Sequence, residues 1–416
     1  MSEAISQGFI DDYDVNAIRA DFPILSELVH GKPLCFLDNG ASAQKPQAVI
    51  DAIADTYKHC YANVHRGAYA FSEQTTANYE AARETVRAFL NANSEKEVIF
   101  TGNATGAMNL VAHSFGRGLL KEGDEVIISA MEHHSNIVPW QMLRDEKGVE
   151  LTVAPISDDG TFLLEEFKSM LSEKTKLVAI THVSNVLGSV VPLKEVVEAA
   201  HAVGAKVMVD GSQAVMHMPV DVQDLDVDFY IFTGHKLYGP TGIGVLYGKE
   251  DLLDKMPPFM GGGDMIASVS YEKSTWAELP AKFEAGTPQI VQAIGLGAAI
   301  DYVQSVGLER IAAHEQRLLN YATQRLCAVD GLRLIGTATN KTSVLSFVMD
   351  GTHPHDIATI VDRKGVCIRA GHHCAEPLMD RMGVSGTSRA SLAMYNTMEE
   401  IDTLATALEK VREIFG

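Results

Sequence analysis

The apolar run Asp228-Phe229-Tyr230-Ile231-Phe232 ends in Thr233-Gly234-His235-Lys236. An ammonium at the end of a buried strand is costly unless neutralised or paired, and lysine is among the side chains whose pKa falls most readily on burial. The neutral amine that results can condense with an aldehyde. A second run, Lys206-Val207-Met208-Val209-Asp210, delivers one carboxylate at its C-terminal end, followed by Gly211-Ser212-Gln213-Ala214. A Schiff-base lysine together with an acid that keeps a pyridinium nitrogen protonated is the protein chemistry that pyridoxal phosphate requires. Either residue alone also fits a turn cap or a solvated side chain. The combination is what carries weight.

That cofactor needs an anion site as well. Glu97-Val98-Ile99-Phe100 reads as a strand, and Thr101-Gly102-Asn103-Ala104-Thr105-Gly106 follows as a turn of small residues. A helical stretch comes next, with Met108, Val111, Ala112 and Phe115 on one face. Strand, small turn and helix N-terminus together aim backbone N–H groups at an anion. The pattern lacks the lysine of a Walker loop and the glycine spacing of a dinucleotide fingerprint, so it favours a phosphate monoester over ATP or NAD.

Read together, several blocks resemble those of the cysteine desulfurases: Ala179-Ile180-Thr181-His182-Val183-Ser184-Asn185-Val186-Leu187-Gly188, Val209-Asp210-Gly211-Ser212-Gln213-Ala214, Thr233-Gly234-His235-Lys236-Leu237-Tyr238-Gly239-Pro240 and Arg369-Ala370-Gly371-His372-His373-Cys374-Ala375. The short cysteine segment, with Met131-Glu132-His133-His134-Ser135-Asn136 and Arg389-Ala390-Ser391-Leu392-Ala393-Met394-Tyr395-Asn396, is similar to the group II, SUF-system branch. The match is collinear from about Ala20 to the C-terminus.

The resemblance implies an α/β protein of the class V aminotransferase group, with fold type I of the pyridoxal-phosphate-dependent transferases. It implies conversion of L-cysteine to L-alanine, with sulfur passing to Cys374 as a persulfide that supplies iron–sulfur cluster assembly. Lys236 then holds the cofactor and moves a proton, Asp210 meets the ring nitrogen, Gln213 the phenolic oxygen, and His133 stacks on the ring and carries a proton. Thr105, Thr233 and His235 take the phosphate, joined by Thr287 of a second subunit, which implies a homodimer. Asn185 and Arg389 clamp the substrate carboxylate, and Arg369, His65 and Arg66 are further substrate-binding candidates. The thiolate is the reactive form of cysteine, and His372, His373 and Arg369, if close, lower the pKa of Cys374. The family's phosphate loop commonly reads Gly-Thr-Thr-Glu-Gly, whereas Asn103-Ala104-Thr105-Gly106-Ala107 lacks one hydroxyl and the acid. The persulfide acceptor implied is a small SUF-type sulfur-carrier protein.

Two rival readings stand beside this one. Selenocysteine lyase chemistry uses the same scaffold and can proceed without a cysteine nucleophile. A metal site made by His372, His373 and Cys374, with His133 and His134, is chemically possible for soft ligands, although it leaves Lys236 and Asp210 unexplained and no metal ligand set is assigned.

The chain has 416 residues, 46% of them hydrophobic, and a formal net charge of −20. Length and composition fit a globular protein of about two domains. The acidic balance argues against nucleic-acid binding, since phosphate contacts need a basic surface. No apolar stretch approaches the roughly 18 residues of a membrane span. The N-terminal segment Met1–Asp12 is acidic where a secretory or transit peptide is basic, so a cytoplasmic location is expected. Five cysteines show no framework spacing, which suits a reducing compartment. Four of them sit where a small buried residue is expected, while Cys374 lies in a polar loop after Val366-Cys367-Ile368-Arg369.

Strand runs near 97, 125, 177, 206, 228 and 243 alternate with helical stretches, which predicts a large, mostly parallel, covered sheet over 34–296. Leu308, Ile311, Ala312, Leu318, Leu319, Ala322 and Leu326 recur at helical spacing, with Gly331 just past the expected end. This bridging helix opens a smaller α+β domain over 297–416, with strands near 342–349, 366–369 and 389–394 and helices near 355–364 and 398–415. Residues 1–33 are expected to pack with that smaller domain. Thr397-Met398-Glu399-Glu400 reads as a capping box for the last helix.

Overall fold

The computed structural model describes residues 13–415. Among them, seven strands form the large sheet: β1 (Val98–Thr101), β2 (Glu125–Ser129), β3 (Glu150–Ala154), β4 (Thr175–Thr181), β5 (Lys206–Asp210), β6 (Phe229–Thr233) and β7 (Gly244–Gly248). Their spatial order is β1-β7-β6-β5-β4-β2-β3. From β3 to β6 all pairings are parallel, whereas β7 runs against both β6 and β1. Every residue of β6 and β7 is buried, so these strands read as continuous apolar runs rather than alternating ones. The edge strand β3 is only partly covered; its mixed Glu-Leu-Thr-Val-Ala pattern left no strand signal in the sequence.

The expected phosphate loop follows β1 directly. Helix α1 (Ala104–Val111) starts at an Asn103 cap whose side chain accepts from the Gly106 N–H at 2.8 Å. The loop presses on β7 so closely that a Cβ on Gly244 would come within 2.4 Å of the Asn103 carbonyl carbon, which accounts for glycine at that strand position.

Two helices join the units: α2 (Ile290–Val306) and α3 (Leu308–Cys327), broken at Gly307 with φ 93°. Helix α3 ends at an Ala328 cap, not at Gly331. Gly331 instead takes φ 72° in the turn before β8 (Leu332–Ile335), a strand that the sequence pattern did not reveal. With β9 (Val344–Met349), β10 (Arg369–Gly371) and β11 (Thr387–Ser391) it forms an antiparallel sheet in the order β8-β9-β11-β10. Helix α4 (Met398–Phe415) covers this sheet and carries the expected capping box: Thr397 N–H donates to Glu400 at 3.0 Å, and Glu400 N–H to Thr397 Oγ1 at 3.4 Å.

The segment Cys35–Phe36 pairs in parallel with Val366–Cys367, and Ser391 N–H donates to the Leu37 carbonyl at 2.7 Å. Cys35 and Leu37 therefore pack among the core residues of the smaller sheet, such as Leu345 and Leu392. Tyr13 and Arg19 reach the same unit, donating to the carbonyls of Met394 and Tyr395. Residues 1–12 of the expected N-terminal segment lie outside the described residues. No helix among those described is long and apolar enough to cross a membrane.

Candidate active site

Parallel strands place the ends of β2, β4, β5 and β6 along one edge, where ligands of open α/β sheets bind. A cavity of about 280 Å³ opens there, and the smaller unit closes its far wall with Arg369, His373, Cys374 and Arg389. Asp210 is the last residue of β5, and Lys236 follows β6 by three residues; both line the cavity. Burial lowers the Lys236 pKa to about 8, against an opposing pull from the Asp210 carboxylate. The amine still holds its proton at neutral pH but gives it up far more readily than an exposed lysine. Ser212 N–H donates to Asp210 Oδ1 at 3.0 Å, which fixes the carboxylate at the cavity wall.

His133 follows β2 through a short turn. Its Nδ1 accepts from Ser135 N–H at 3.1 Å and lies 2.8 Å from Ser135 Oγ, so the neutral ring carries its proton on Nε2. Burial first, and then the nearby Lys236 charge, push the His133 pKa down to about 4, which keeps that ring neutral. Thr105, Thr233 and His235 meet at the loop end of the same cavity, where burial lowers the His235 pKa to about 4. The N-terminus of α1 lies beside them.

Four buried polar atoms in cavity-lining residues have no protein partner: Ser212 Oγ, Gln213 Oε1, His373 Nδ1 and Arg389 Nε. Unpaired buried polar groups are costly, and here they mark places for ligand atoms. The donor set fits pyridoxal phosphate: an amine for its aldehyde, a carboxylate for its ring nitrogen, an amide for its phenolic oxygen, a neutral imidazole for its ring face, and hydroxyls with a helix start for its phosphate.

A family model described as aminotransferase class-V matches residues 35–404. The chain belongs to this family. It is 52% identical over 400 residues to a cysteine desulfurase of Synechococcus elongatus, covering 96% of this chain and 64% of that one. To a cysteine desulfurase of Escherichia coli O7:K1 it is 53% identical over 405 residues, covering 97% of this chain and all of the relative. The chain thus spans less than two thirds of the Synechococcus protein and the whole length of the E. coli one. The crystal structure of the cysteine desulfurase CsdA from Escherichia coli superposes with a TM-score of 0.91 at 38% identity, over 97% of this chain and 100% of that one.

In this class V aminotransferase the candidate carboxylate clamp is built across the two units. Arg389 is 2% exposed; its Nη1 donates to the Asn185 carbonyl at 2.8 Å and its Nη2 contacts Asp38 Oδ1 at 3.3 Å. Asn185 in turn donates from Nδ2 to the His373 carbonyl at 2.8 Å, linking the clamp to the cysteine loop. Cys374 is exposed at the cavity wall, and both His373 and Cys374 have φ of 54°, a left-handed conformation that costs non-glycine residues about 1 kcal/mol each. His134 holds the loop in that shape: its N–H donates to the Cys374 carbonyl at 2.7 Å, and its Nε2 accepts from Glu376 N–H at 3.0 Å.

One expectation about Cys374 is corrected. His373 points to Thr387, with Nε2 2.8 Å from Oγ1, and burial together with the Arg389 charge pushes its pKa down to about 3. A neutral imidazole supplies no positive charge to the thiol. Arg369 is likewise engaged, with Nη2 2.6 Å from Asp38 Oδ2.

Three expected residues stand apart from the cavity within this chain. His65 pairs with Glu80 at 2.8 Å and Arg66 with Asp264 at 2.6 Å. Thr287 sits in the 285–288 turn, whose neighbours Ala285 and Pro288 border a separate hollow on the Gly102 and Gly106 side of the phosphate loop. The metal reading fares no better. No three ligating side chains gather as a metal site among the described residues.

Asp38, His134 and Glu132 were missed. Glu132 accepts from Asn136 Nδ2 at 2.7 Å and Thr181 N–H at 2.9 Å, tying the His133 turn to the end of β4. The adjacent glutamate and second histidine in Met131–Asn136 were the available signals for two of them. Asp38 had none.

Proposed function

We propose that this protein is a pyridoxal-phosphate-dependent cysteine desulfurase. The observation that carries the reading is the convergence of the Lys236 amine, the Asp210 carboxylate and the exposed Cys374 thiol on one cavity. When bound, the cofactor supplies an electron sink that makes the Cα–H of an amino acid acidic and its Cβ–S bond labile. Lys236, with a pKa near 8, suits both holding the aldehyde and carrying the Cα proton. Arg389 and Asn185 bind the carboxylate, and the free Nε of Arg389 offers it a donor. The side chain of the substrate then faces the Cys374 loop. The net change balances: L-cysteine and the Cys374 thiol give L-alanine and a Cys374 persulfide, one C–S bond and one S–H bond being exchanged for one S–S bond and one C–H bond. His133, with its proton on Nε2, is the residue we assign to move a proton during this exchange.

We further infer the group II, SUF-type branch from the short cysteine segment and the Met131–Asn136 block. On this reading the persulfide passes to a small sulfur-carrier protein and supports iron–sulfur cluster assembly in the cytoplasm. A homodimer lets Thr287 of one subunit reach the phosphate of the other, and the His65–Arg66 segment joins the site in the same assembly. The division inferred is a segment over 1–33, a cofactor-binding unit over 34–296, whose Cys35–Leu37 start packs with the smaller unit, and that smaller unit over 297–416. Selenocysteine lyase activity on the same residues is the alternative.

The test is an absorbance spectrum of purified, cofactor-loaded protein before and after L-cysteine, with alanine and persulfide measured. A visible-edge band that changes on addition, with alanine and persulfide in equal amounts, is expected. Protein that stays colourless and inert after reconstitution would overturn the reading.

A further inference from the structure

One largely buried cation stands just outside the cavity. The Lys45 ammonium donates to the His235 carbonyl at 3.0 Å and to the Ala43 carbonyl, and lies 3.5 Å from Ser42 Oγ. All three partners are neutral. No carboxylate pairs with Lys45 among the described residues, and burial alone lowers its pKa to about 8. A buried charge without an opposite charge is costly, so an anion nearby would stabilise it. The His235 carbonyl also accepts from Ala43 N–H at 3.1 Å and Ser42 Oγ at 3.2 Å, which fixes the 42–45 loop against the residue whose ring lines the cavity. That ring feels the ammonium: burial first, then the charges of Lys236 and Lys45, depress the His235 pKa.

The far side of His235 has the opposite imbalance. A phosphate monoester carries a charge of about −1.5 to −2 at neutral pH. Thr105, Thr233 and a neutral His235 bring it no positive charge. The start of α1 supplies only about half a unit. The cations that line the cavity are engaged elsewhere: Lys236 with the cofactor's aldehyde, Arg369 with Asp38, and Arg389 with Asp38 and the Asn185 carbonyl.

We propose that Lys45 is the counter-charge for the cofactor's phosphate, set behind His235 and acting through its field rather than by contact. This rests on the reading above in placing the phosphate at Thr105, Thr233 and His235. The ammonium gains the anion it lacks within the chain, and the phosphate gains the positive charge that hydroxyls and a helix start do not supply. Lys45 touches no reacting atom.

The experiment is equilibrium dialysis of the full chain at neutral pH against pyridoxal 5′-phosphate and against pyridoxal, in wild type and in Lys45→Met. The two ligands share ring and aldehyde and differ in the phosphate, so the ratio of their affinities isolates the anion. That ratio is expected to fall about tenfold in the variant, the scale of one charge acting on a dianion across a residue layer at an effective dielectric of about 20. Lys45→Arg, which retains the charge, should hold the ratio near wild type; a fall as large as that of Lys45→Met would overturn the charge role. A merely structural loss weakens both ligands together, and an unmoved ratio in folded Lys45→Met overturns the assignment. Should the Met chain not fold, Lys45→Gln keeps an N–H for the two carbonyls and is read with the same two outcomes. Thr105→Val separates this proposal from the reading beneath it. An unmoved ratio in Thr105→Val defeats the placement of the phosphate, whereas a lowered ratio there with an unmoved one in Lys45→Met defeats only the role of Lys45.

Discussion

The buried Lys236 amine carries a stability cost that can be measured without any turnover. Its pKa falls from 10.5 to about 8 on folding, chiefly because burial penalises the ammonium. A shift of that size corresponds to about 3 kcal/mol, at roughly 1.4 kcal/mol per pKa unit. The sign follows from proton counting. Below about pH 8 both folded and unfolded chains bind the proton, and the folded state bears the full cost. Between about 8 and 10.5 only the unfolded chain remains protonated, so stability rises with pH through that window. Lys236→Met keeps the length and removes the charge. Cofactor-free Lys236→Met protein is therefore expected to exceed wild type by about 3 kcal/mol in urea denaturation at about pH 7, and by less than about 1 kcal/mol at about pH 10. Other groups that titrate in this range are common to both proteins and cancel in the difference. Equal stability at neutral pH, or a gap that does not close as pH rises, would refute the claim that Lys236 is a desolvated amine.

Cys374→Ala should keep the cofactor band and lose alanine formation from L-cysteine; full sulfur release by this variant would remove Cys374 from the reaction, and surviving selenocysteine turnover would place both activities at one site. Arg389→Lys cannot make two parallel hydrogen bonds to a carboxylate, so KM for cysteine should rise at least about tenfold, and an unchanged KM would count against the clamp. Glu284 accepts from Arg83 at 2.7 and 2.9 Å, Phe100 N–H at 2.7 Å and Tyr79 at 3.2 Å, just before the turn that carries Thr287. Glu284→Gln leaves the 2% exposed Arg83 side chain with Glu80, 3.0 Å from its Nε, as its remaining carboxylate partner and should cost about 3 kcal/mol in urea denaturation. A loss under about 1 kcal/mol would show that water reaches that pair.

Much of the site was readable because it is local. Lys236, Asp210 and Thr105 each sit at the end of a short apolar run or at a helix start, and such runs announce strands whose ends meet at one edge of a parallel sheet. The large unit was legible for the same reason, since strands covered on both faces leave unbroken apolar stretches. Strands β3 and β8 were not, because partial exposure mixes polar residues into them. Gly331 was read as a helix end for want of any sign that α3 stops at Cys327 and that a turn precedes β8.

Residue types and their order determined the chemistry this protein can offer: an amine, an acid, a phosphate cradle and a thiol in one collinear set. Only the tertiary structure decided how those groups are charged and constrained. It brings Asp38 to arginines 331 and 351 residues away, makes His373 neutral where a cation was expected, and sets His134 as the clamp on a left-handed cysteine loop. The physical reason is that ionisation depends on desolvation and on neighbours in space, and neither is written in the spacing of residues along a chain.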